Sequence, residues 1–460
     1  MKITTLIILL HCCFFSYAQN EAATLYFGKT LLDFRQQPPL VLSSQAIDPR
    51  ECAASICDGD GNLLFYSNGG VSPTAPALQG GVFGINNQHL MNGNLVDSGG
   101  CLSSFQGAII LPDPEGITPT NRKYYLFTKD CIESSFSTTH YNSGLTYSII
   151  DMSANNGNGA VISKYNVIVP YHVIQVHSTG YEPVTAVLDS DGEQKSDQAG
   201  YWLFSYTDDS LYHIHFGTDG FNQFQKLTGG KGALVVAPDR THIMVGNVLY
   251  HLDPVLGTVQ HQATFATNLW AAFSSDGSKL YVISGTSLKQ YDVSQEDIWS
   301  TEQLIATVPT GSMLFLGPTK HILIYQSTSN FIDAEIICTN NSGMACGWNP
   351  TNISLGSGTT PYSGGPNISA HYLYSDAGNC TVALEENTQA FLSLHPNPAN
   401  TMLVVNGLES EADYVIYSNL GQTVLQGITS NQKTIDLSNL EAGAYVVKIQ
   451  NQFLPLIKSD

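Results

Sequence analysis

The residues best suited to metal chemistry are oxygen-bearing side chains that alternate along two loops. They are Asp58, Asp60 and Asn62 in the first loop, and Asp189, Asp191, Glu193 and Asp197 in the second. A calcium loop of the EF-hand type also needs a glycine at its sixth position and a glutamate at its twelfth, and neither loop has the full set. Hairpin turns rich in Asp and Gly account for both loops without a metal. Ca²⁺ at Asp189, Asp191 and Asp197 is the single cofactor hypothesis that the sequence offers.

Two pairs of histidines could each begin a metal site. His213 and His215 share one face of a predicted strand, and His172 and His177 lie in another strand-like segment. No pattern in the sequence brings a third ligand to either pair, so we expect strand-face histidines without metal. The sequence contains no H-E-x-x-H, G-x-S-x-G or P-loop motif, and therefore predicts no catalytic or cofactor-binding residue. Carboxylate pairs for glycoside hydrolysis need only proximity in space, which the sequence does not reveal.

The composition favours β structure and argues against polyanionic partners. Charged residues make up 12% of the 460 residues, while 23 Tyr and 19 Phe suit half-buried pleated surfaces. The net charge of −20 repels phosphate backbones, so we predict no nucleic-acid binding. Beyond the first residues, no stretch approaches the roughly 18 consecutive apolar residues of a membrane helix, so no transmembrane segment is predicted.

The body of the chain consists of short β segments separated by Gly, Asn and Asp turns. Residues 53–57, 58–62 and 63–67 form a strand, a tight turn and a second strand, and this unit recurs around Asp239 and Asp276. These two aspartates lie 37 residues apart, close to the period of roughly 40 to 50 residues for propeller blades. We therefore predict an all-β fold, with a β-propeller of about seven blades over residues 19–375. A β-sandwich, or a stack of sandwiches, is the competing fold.

Several aromatic side chains could stack sugars at the mouth of such a propeller, although core packing accounts for most of them. They are Phe83, Tyr141, Tyr165, Tyr171, Trp202 and Trp270.

Motifs along this body also resemble a known family. They are residues 51–68, 91–93, 106–112, 123–128 and 144–152, followed by Cys346-Gly347-Trp348 and Gly365-Pro366-Asn367. The stretch resembles the WD-repeat-like propellers common in exported Bacteroidota proteins. The resemblance implies a propeller but no particular chemistry.

The pattern changes after a polar linker at residues 376–390. Five or six short strands follow in residues 391–460, which predicts a small Ig-like β-sandwich. Six residues carry its motif: Pro396, Asn397, Pro398, Gly443, Tyr445 and Lys448. The segment resembles the type IX secretion C-terminal (Por) sorting domain, although His395 replaces the usual aromatic residue. The resemblance implies that this domain delivers the protein to the type IX translocon of the outer membrane, which would be its partner. The alternative is that the domain is an ordinary Ig-like accessory domain.

The first residues have the three parts of a secretory signal peptide. Lys2 precedes an apolar run at residues 6–15, and Ser16-Tyr17-Ala18 supplies the small residues of a cleavage site. We predict a signal peptide at residues 1–18, with cleavage between Ala18 and Gln19. The protein is therefore expected to pass through the periplasm and to be secreted or held at the cell surface.

Export to an oxidising compartment predicts disulfides among the seven remaining cysteines. Cys338 and Cys346 flank a short Asn/Gly loop and could close it. Three pairings remain open for the four N-terminal cysteines, and Cys380 is left over. Those four are Cys52, Cys57, Cys101 and Cys131.

These features favour an exported, non-enzymatic protein, secreted or held at the cell surface, that acts in binding or adhesion with a glycan or protein as its ligand. The alternative is a secreted hydrolase or lyase that acts on polysaccharide or peptide, with its site in the propeller funnel. A structural component of the export or motility apparatus is a third class. An enzyme should bring two carboxylates, or an acid and a histidine, together in the axial funnel, whereas a binder should not.

Overall fold

The computed structural model describes most of the chain in two units, Met1–Val382 and Ala383–Asp460. The described residues are 20–42, 50–71, 80–95, 100–131, 144–170, 182–189, 200–207, 210–227, 232–266, 269–356, 359–361, 363, 365–375, 380, 392–408, 410–419, 421–450 and 452–459. The predicted signal peptide, the cleavage bond after Ala18 and nearly all of the predicted linker at 376–390 lie outside them.

The first unit is a succession of antiparallel meanders, which we number as blades 1 to 7. Blade 1 has three strands: β1 Thr24–Phe27, β2 Thr30–Asp33 and β3 Leu40–Leu42. Blade 2 has β4 Ala54–Cys57, β5 Leu63–Ser67, β6 Gly81–Gly84 and β7 His89–Asn94. Blade 3 has β8 Ala108–Pro112, β9 Lys123–Lys129, β10 Leu145–Asp151 and β11 Ala160–Val169. Blade 4 has β12 Val184–Leu188, β13 Tyr201–Thr207, β14 Ser210–Gly217 and β15 Gly220–Leu227.

The remaining three blades repeat the same order. Blade 5 has β16 Leu234–Val236, β17 His242–Val245, β18 Val248–Asp253 and β19 Thr258–Thr264. Blade 6 has β20 Trp270–Phe273, β21 Lys279–Ser284, β22 Ser287–Asp292 and β23 Gln303–Thr307. Blade 7 has β24 Ser312–Leu316, β25 Ile322–Gln326, β26 Phe331–Ile336 and β27 Trp348–Ser354. Helical segments are short: α1 Ala154–Gly157 and 3-10 turns at Asn20–Ala22, Ile298–Thr301, Gly343–Cys346 and Ala370–Leu373.

The first strands of successive blades contact one another in chain order, from β1 and β4 through to β20 and β24. The ring closes because the Phe27 ring of blade 1 lies 5.9 Å from the Phe315 ring and 4.7 Å from the Tyr325 ring of blade 7. At the outside, β7 and β11 join blades 2 and 3 through a parallel bridge between Met91 and Ala160. This arrangement confirms the predicted all-β propeller and, over the described residues, its seven blades.

The Asp-Gly turn of blade 6 illustrates why the repeated unit folds as a hairpin. Asp276 accepts hydrogen bonds through Oδ1 from the Ser274 hydroxyl at 2.6 Å and from the Ser278 amide at 2.9 Å. Gly277 has φ +79°, in the left-handed region that favours glycine. The side chain of Asp276 thus satisfies the turn that joins β20 to β21.

The second unit is a small sandwich of two antiparallel sheets. Its three-stranded sheet contains β28 Ser393–His395, β29 Met402–Asn406 and β32 Thr434–Asp436. Its four-stranded sheet has the order β31 Thr423–Thr429, β30 Ala412–Ser418, β33 Gly443–Ile449 and β34 Gln452–Lys458. Leu403, Val405, Ile416, Val447 and Ile449 are fully buried in the core of this unit, as the predicted β-sandwich requires.

The predicted partner of Cys338 is wrong. Cys338 forms a disulfide with Cys380, with Cα atoms 5.3 Å apart, while Cys346 is free and buried. The loop between Cys338 and Cys346 is closed by a backbone hydrogen bond instead, in which the Cys338 amide donates to the Cys346 carbonyl at 2.9 Å.

The four N-terminal cysteines form one bridge. Cys101 pairs with Cys131, with a Cα–Cα distance of 5.4 Å. Cys52 and Cys57 are free and buried. Burial raises the pKa of Cys57 to about 11, so its thiol stays protonated and unreactive at neutral pH.

Candidate functional site

The axial channel of the propeller, where the sequence places an enzyme's site, is occupied by the chain's own segment 365–375, which we call the axial segment. The side-chain amide of Asn367 donates to the carbonyl oxygens of Gln106, Ala108 and Val184 at 3.2, 2.9 and 2.6 Å. One amide therefore ties the axial segment to blades 3 and 4.

Further contacts hold the axial segment along its length. The Ser369 hydroxyl donates to the carbonyl of Ala186 at 3.3 Å, and Lys320 Nζ donates to the carbonyl of Tyr372 at 2.9 Å. Burial lowers the pKa of Lys320 to about 8. The segment is thus an integral part of the propeller core.

A cavity of about 90 Å³ remains beside the axial segment. Its lining comes from the inner strands of blades 4 to 7 and is mostly apolar, with polar atoms from Gln106, Thr185 and Asn367. Among the described lining residues there is no Asp, Glu or His. Because small-molecule sites usually occupy roughly 300–1,000 Å³, this cavity is too small for a substrate. The described residues that line this cavity therefore include neither a pair of carboxylates nor an acid with a histidine, the combinations expected of a funnel enzyme.

A larger concavity, the blade 5–6 cleft, opens between blades 5 and 6 with a volume of about 460 Å³. Most of its lining residues have polar side chains, which include carboxylates, hydroxyls, amides and imidazoles. The lining residues are Asp239, Thr241, His242, His251, Gln262, Gly277, Ser278, Val293, Ser294, Gln295 and Glu296.

The inner wall of the blade 5–6 cleft is a hydrogen-bonded chain of three side chains. Asp239 accepts from the Thr241 amide at Oδ1, 3.1 Å, and from the Thr241 hydroxyl at Oδ2, 2.8 Å. The same hydroxyl lies 2.7 Å from Nδ1 of His242. Burial raises the pKa of Asp239, because Gly277 of the next blade packs directly against its carboxylate. This packing and these bonds orient the His242 ring.

Two imidazoles face each other across the β17–β18 hairpin. His242 and His251 are paired in register, and their rings lie 5.4 Å apart and nearly perpendicular. Burial, helped by the nearby His251, lowers the pKa of His242 to about 4, so its ring is neutral at pH 7. Gln262 donates to the carbonyl of Val293 at 3.0 Å, and a side-chain hydrogen bond with Gln262 partly offsets the lowering of the His242 pKa.

The rim of the cleft is open to solvent. Ser294, Gln295, Glu296 and His251 are exposed. The cleft thus offers hydrogen-bond donors and acceptors together, which matches a ligand whose groups are both donors and acceptors. Over the described residues, no group of three or more His, Cys, Asp or Glu could hold a metal ion.

The structure joins one predicted calcium ligand to one predicted metal-binding histidine. Asp189 Oδ2 lies 2.6 Å from Nε2 of His215, and Nδ1 of His215 lies 3.0 Å from Oδ1 of Asn222. Asp191, Glu193 and Asp197, like His172 and His177, lie outside the described residues. The Ca²⁺ site stays a prediction, with Asp189 hydrogen-bonded to a histidine.

His213 lies among aromatic rings and has none of the polar contacts of His215 in the described part of the chain. Its ring is fully buried between Trp202, at 4.6 Å, and Phe204, at 4.8 Å and nearly parallel. Neither ring nitrogen has a hydrogen-bond partner in the described part of the chain. The predicted pair His213 and His215 therefore has two separate roles, one in core packing and one in a polar contact.

Among the described aromatic candidates, Phe83, Trp202 and Trp270 lie in the core or pack against it, as expected. Phe83 and Trp202 are buried, and the indole nitrogen of Trp202 donates to the carbonyl of Pro254 at 2.8 Å. Tyr165 is exposed on the outer strand β11. Tyr141 and Tyr171 lie outside the described residues.

The predicted sorting motif converges on the last strand of the second unit. The Asn397 side chain donates to the carbonyl of Pro455 at 2.8 Å and accepts from the Ile457 amide at 2.9 Å. Asn397 lies between Pro396 and Pro398, which have no amide hydrogen, and its side chain makes the hydrogen bonds to β34 that the backbone of these prolines cannot donate. On β33, the Tyr445 hydroxyl donates to the carbonyl of Glu441 at 2.9 Å. Lys448 Nζ lies 5.6 Å from the centre of the Phe453 ring.

Comparison with known families identifies this unit. Residues 393–458 match the secretion system C-terminal sorting domain. The sorting domain directs the protein through type IX secretion, so the protein is secreted or displayed at the cell surface. In the described part of the chain, no helix has the length and apolar character needed to cross a membrane. No curated protein matches this sequence.

Solved structures with similar architecture share little sequence with this chain. The crystal structure of puromycin hydrolase has 12% identity and a TM-score of 0.37; the match covers 73% of this chain and 51% of the hydrolase, so this chain spans about half of that protein's length. Apo AztD from Citrobacter koseri has 10% identity and a TM-score of 0.34, covering 75% and 90%. PorZ, a surface component of the type IX secretion system of Porphyromonas gingivalis, has 9% identity and a TM-score of 0.21, covering 96% and 75%. At these scores the activities of the three proteins do not transfer to this chain.

Proposed function

We propose that this exported protein is a non-enzymatic glycan-binding protein, and that its ligand occupies the blade 5–6 cleft. The observation that carries the proposal is the contrast between two cavities. The axial cavity of about 90 Å³ is small and lined mostly by apolar residues, whereas the cleft of about 460 Å³ is lined mostly by residues with polar side chains and lies within the usual range of volumes for ligand sites.

The lining of the cleft favours a neutral polyhydroxy ligand over an anion. Asp239 and Glu296 contribute carboxylates, and the whole chain has a net charge of −20. A phosphate or an acidic polymer would be repelled by this field. Sugar hydroxyls, in contrast, both donate and accept, and the amide, hydroxyl and imidazole groups of the cleft complement them.

The geometry also favours binding over hydrolysis. Both oxygens of Asp239 already accept hydrogen bonds from Thr241, and the Thr241 hydroxyl also contacts His242 Nδ1. These bonds hold the acid and the imidazole within the wall of the cleft. General acid–base catalysis would require these groups to reach the reacting atoms of a substrate.

The experiment uses the full-length secreted protein, screened on a glycan array and then titrated calorimetrically with the oligosaccharide that binds best. We expect Glu296→Gln and His251→Ala each to weaken that binding by about tenfold, since the first replaces an acceptor carboxylate by a neutral amide and the second removes an imidazole at the rim. Glu115→Gln, an exposed glutamate in blade 3, is the matched control and should bind like the wild type.

Two results would reject this function. One is that the wild-type protein binds no glycan on the array. The other is release of new reducing ends from a bound polymer, lost in the His251→Ala variant, which would identify a hydrolase.

A further inference from the structure

The four-stranded sheet of the sorting domain exposes a nearly continuous apolar surface, which we call the apolar sheet face. It is formed by the outward positions of β31, β30, β33 and β34. Ile428 and Phe453 are 56% and 63% exposed, and Val424, Val446 and Ile457 also face solvent. These side chains alternate with the core residues of the same strands, so the pleat dictates their outward direction.

Strand register makes the face contiguous. Val446 of β33 is paired with Tyr417 of β30 on one side and with Pro455 of β34 on the other. On the next outward row, Lys448 is paired with Val415 and with Phe453. Apolar side chains therefore meet across three strands.

The face carries very little charge for a protein with a net charge of −20. Its outward charged residues are Asp413 and Lys448, and the ammonium group of Lys448 lies over the Phe453 ring. Water-facing sheet surfaces usually alternate apolar residues inside with polar residues outside. Because the core of the sandwich lies on the opposite side of this sheet, folding of the domain does not explain the apolar residues outside.

The dimensions of the face suit a brief contact. Four strands about 4.8 Å apart, with three outward residues on each, give roughly 300 Å². A stable dimer buries about 800 Å² on each partner, so two copies joined through this face alone would not stay together. Exposed apolar patches of this size on monomers are often functional.

We infer that the apolar sheet face is the surface through which the sorting domain docks, transiently, on an apolar protein surface of the type IX secretion machinery. A sorting domain must bind the secretion machinery and then dissociate from it, and a small apolar contact meets both needs. The inference rests on the sorting role of residues 393–458 and is separate from the proposed glycan site, because one is tested by delivery and the other by binding.

The test expresses the full chain in a bacterium that has type IX secretion, and compares the amounts outside the cell and in the periplasm. We expect Phe453→Asp and Ile428→Asp each to lower the delivered fraction by about tenfold, since an apolar contact is replaced by a charge that must be desolvated. The matched control is Met402→Asp. Met402 is an apolar residue, 57% exposed, on the other sheet of the same domain, and its variant should be delivered normally.

A milder variant guards against misfolding. Phe453→Gln adds no charge and should also reduce delivery, while Phe453→Tyr keeps the aromatic ring and should restore it. The purified variants should melt at the wild-type temperature, which separates docking from stability.

Three results would overturn the inference. The first is delivery of the Phe453→Asp and Ile428→Asp variants within about twofold of wild type, a change too small for a lost docking contact. The second is equal retention of Met402→Asp. The third is a wild-type dimer in sedimentation that Phe453→Asp dissociates without any change in delivery, which would assign the face to a second copy.

Discussion

Acid should destabilise the propeller through histidines that are buried in their neutral form. His213 has no hydrogen-bond partner for either ring nitrogen in the described part of the chain, and His242 is also buried. Burial lowers the pKa of each ring from 6.5 to about 4. Protonation therefore favours the unfolded chain, in which the pKa is near its ordinary value.

The direction and size of the effect follow from these pKa values. Since the folded-state pKa lies below the unfolded one, the contribution of each histidine is complete above pH 6.5 and is lost as the pH falls towards 4. Between pH 7.5 and 5.0 each histidine should remove about 2 kcal/mol from the free energy of unfolding. Two such losses are a large share of a total stability of roughly 5–15 kcal/mol.

The perturbation is His213→Phe, which keeps a flat ring between Trp202 and Phe204 and removes the titrating group. Packing differences contribute equally at both pH values and cancel when the two measurements are subtracted. We expect the pH-dependent loss of the variant to be smaller than that of the wild type by about 2 kcal/mol. His261→Gln, a substitution of an exposed histidine, should leave the loss unchanged.

The assay is urea unfolding followed by tryptophan fluorescence at pH 7.5 and 5.0. All four tryptophans belong to the propeller, so the signal reports on that unit alone. If His213→Phe and the wild type lose the same free energy between the two pH values, the assignment of His213 as a buried neutral group is refuted.

The axial segment and its disulfide supply two further predictions. Asn367→Ala removes side-chain hydrogen bonds to three carbonyl oxygens and should lower the free energy of unfolding by about 2–3 kcal/mol in urea titrations. The control Asn86→Ala, on an exposed turn, should have little effect. Equal losses of free energy in the two variants would contradict the role of the axial segment. Cys380→Ser should abolish the cross-linked peptide with Cys338 in non-reducing mass spectrometry and reduce stability by up to about 4 kcal/mol. Cys346→Ser should leave that peptide intact; a Cys338–Cys346 peptide in the wild type would instead restore the predicted pairing.

Part of the candidate site could have been found in the sequence. Strands β17 and β18, at residues 242–245 and 248–253, are separated by two residues, the length of the tightest hairpin loops. That loop length sets the register and places His242 opposite His251, as the structure has it. The opposing wall of the cleft, from Gln295 and Glu296, belongs to the next blade, and no local pattern relates the two blades.

Asn367 shows where local reasoning ends. Its side chain binds carbonyls that lie 261, 259 and 183 positions earlier in the chain. Pro366 and Asn367 stood out in the sequence as part of a resembling motif, but nothing near them indicates that they fill the axis. The same holds for Cys338, whose partner depends on where the chain runs after residue 375.

Local sequence patterns were enough to predict the β-rich character of the chain, the positions of its Asp/Gly turns, the sandwich of its last residues and the motif that marks it for export. These features depend on alternation and turn chemistry over a few neighbouring residues, and such interactions act locally. The closing of the ring, the filling of its axis, the pairing of Cys338 and the cleft between blades 5 and 6 were decided only by the tertiary structure. Each of them joins residues that are far apart in the chain, and their meeting depends on how all the blades pack together.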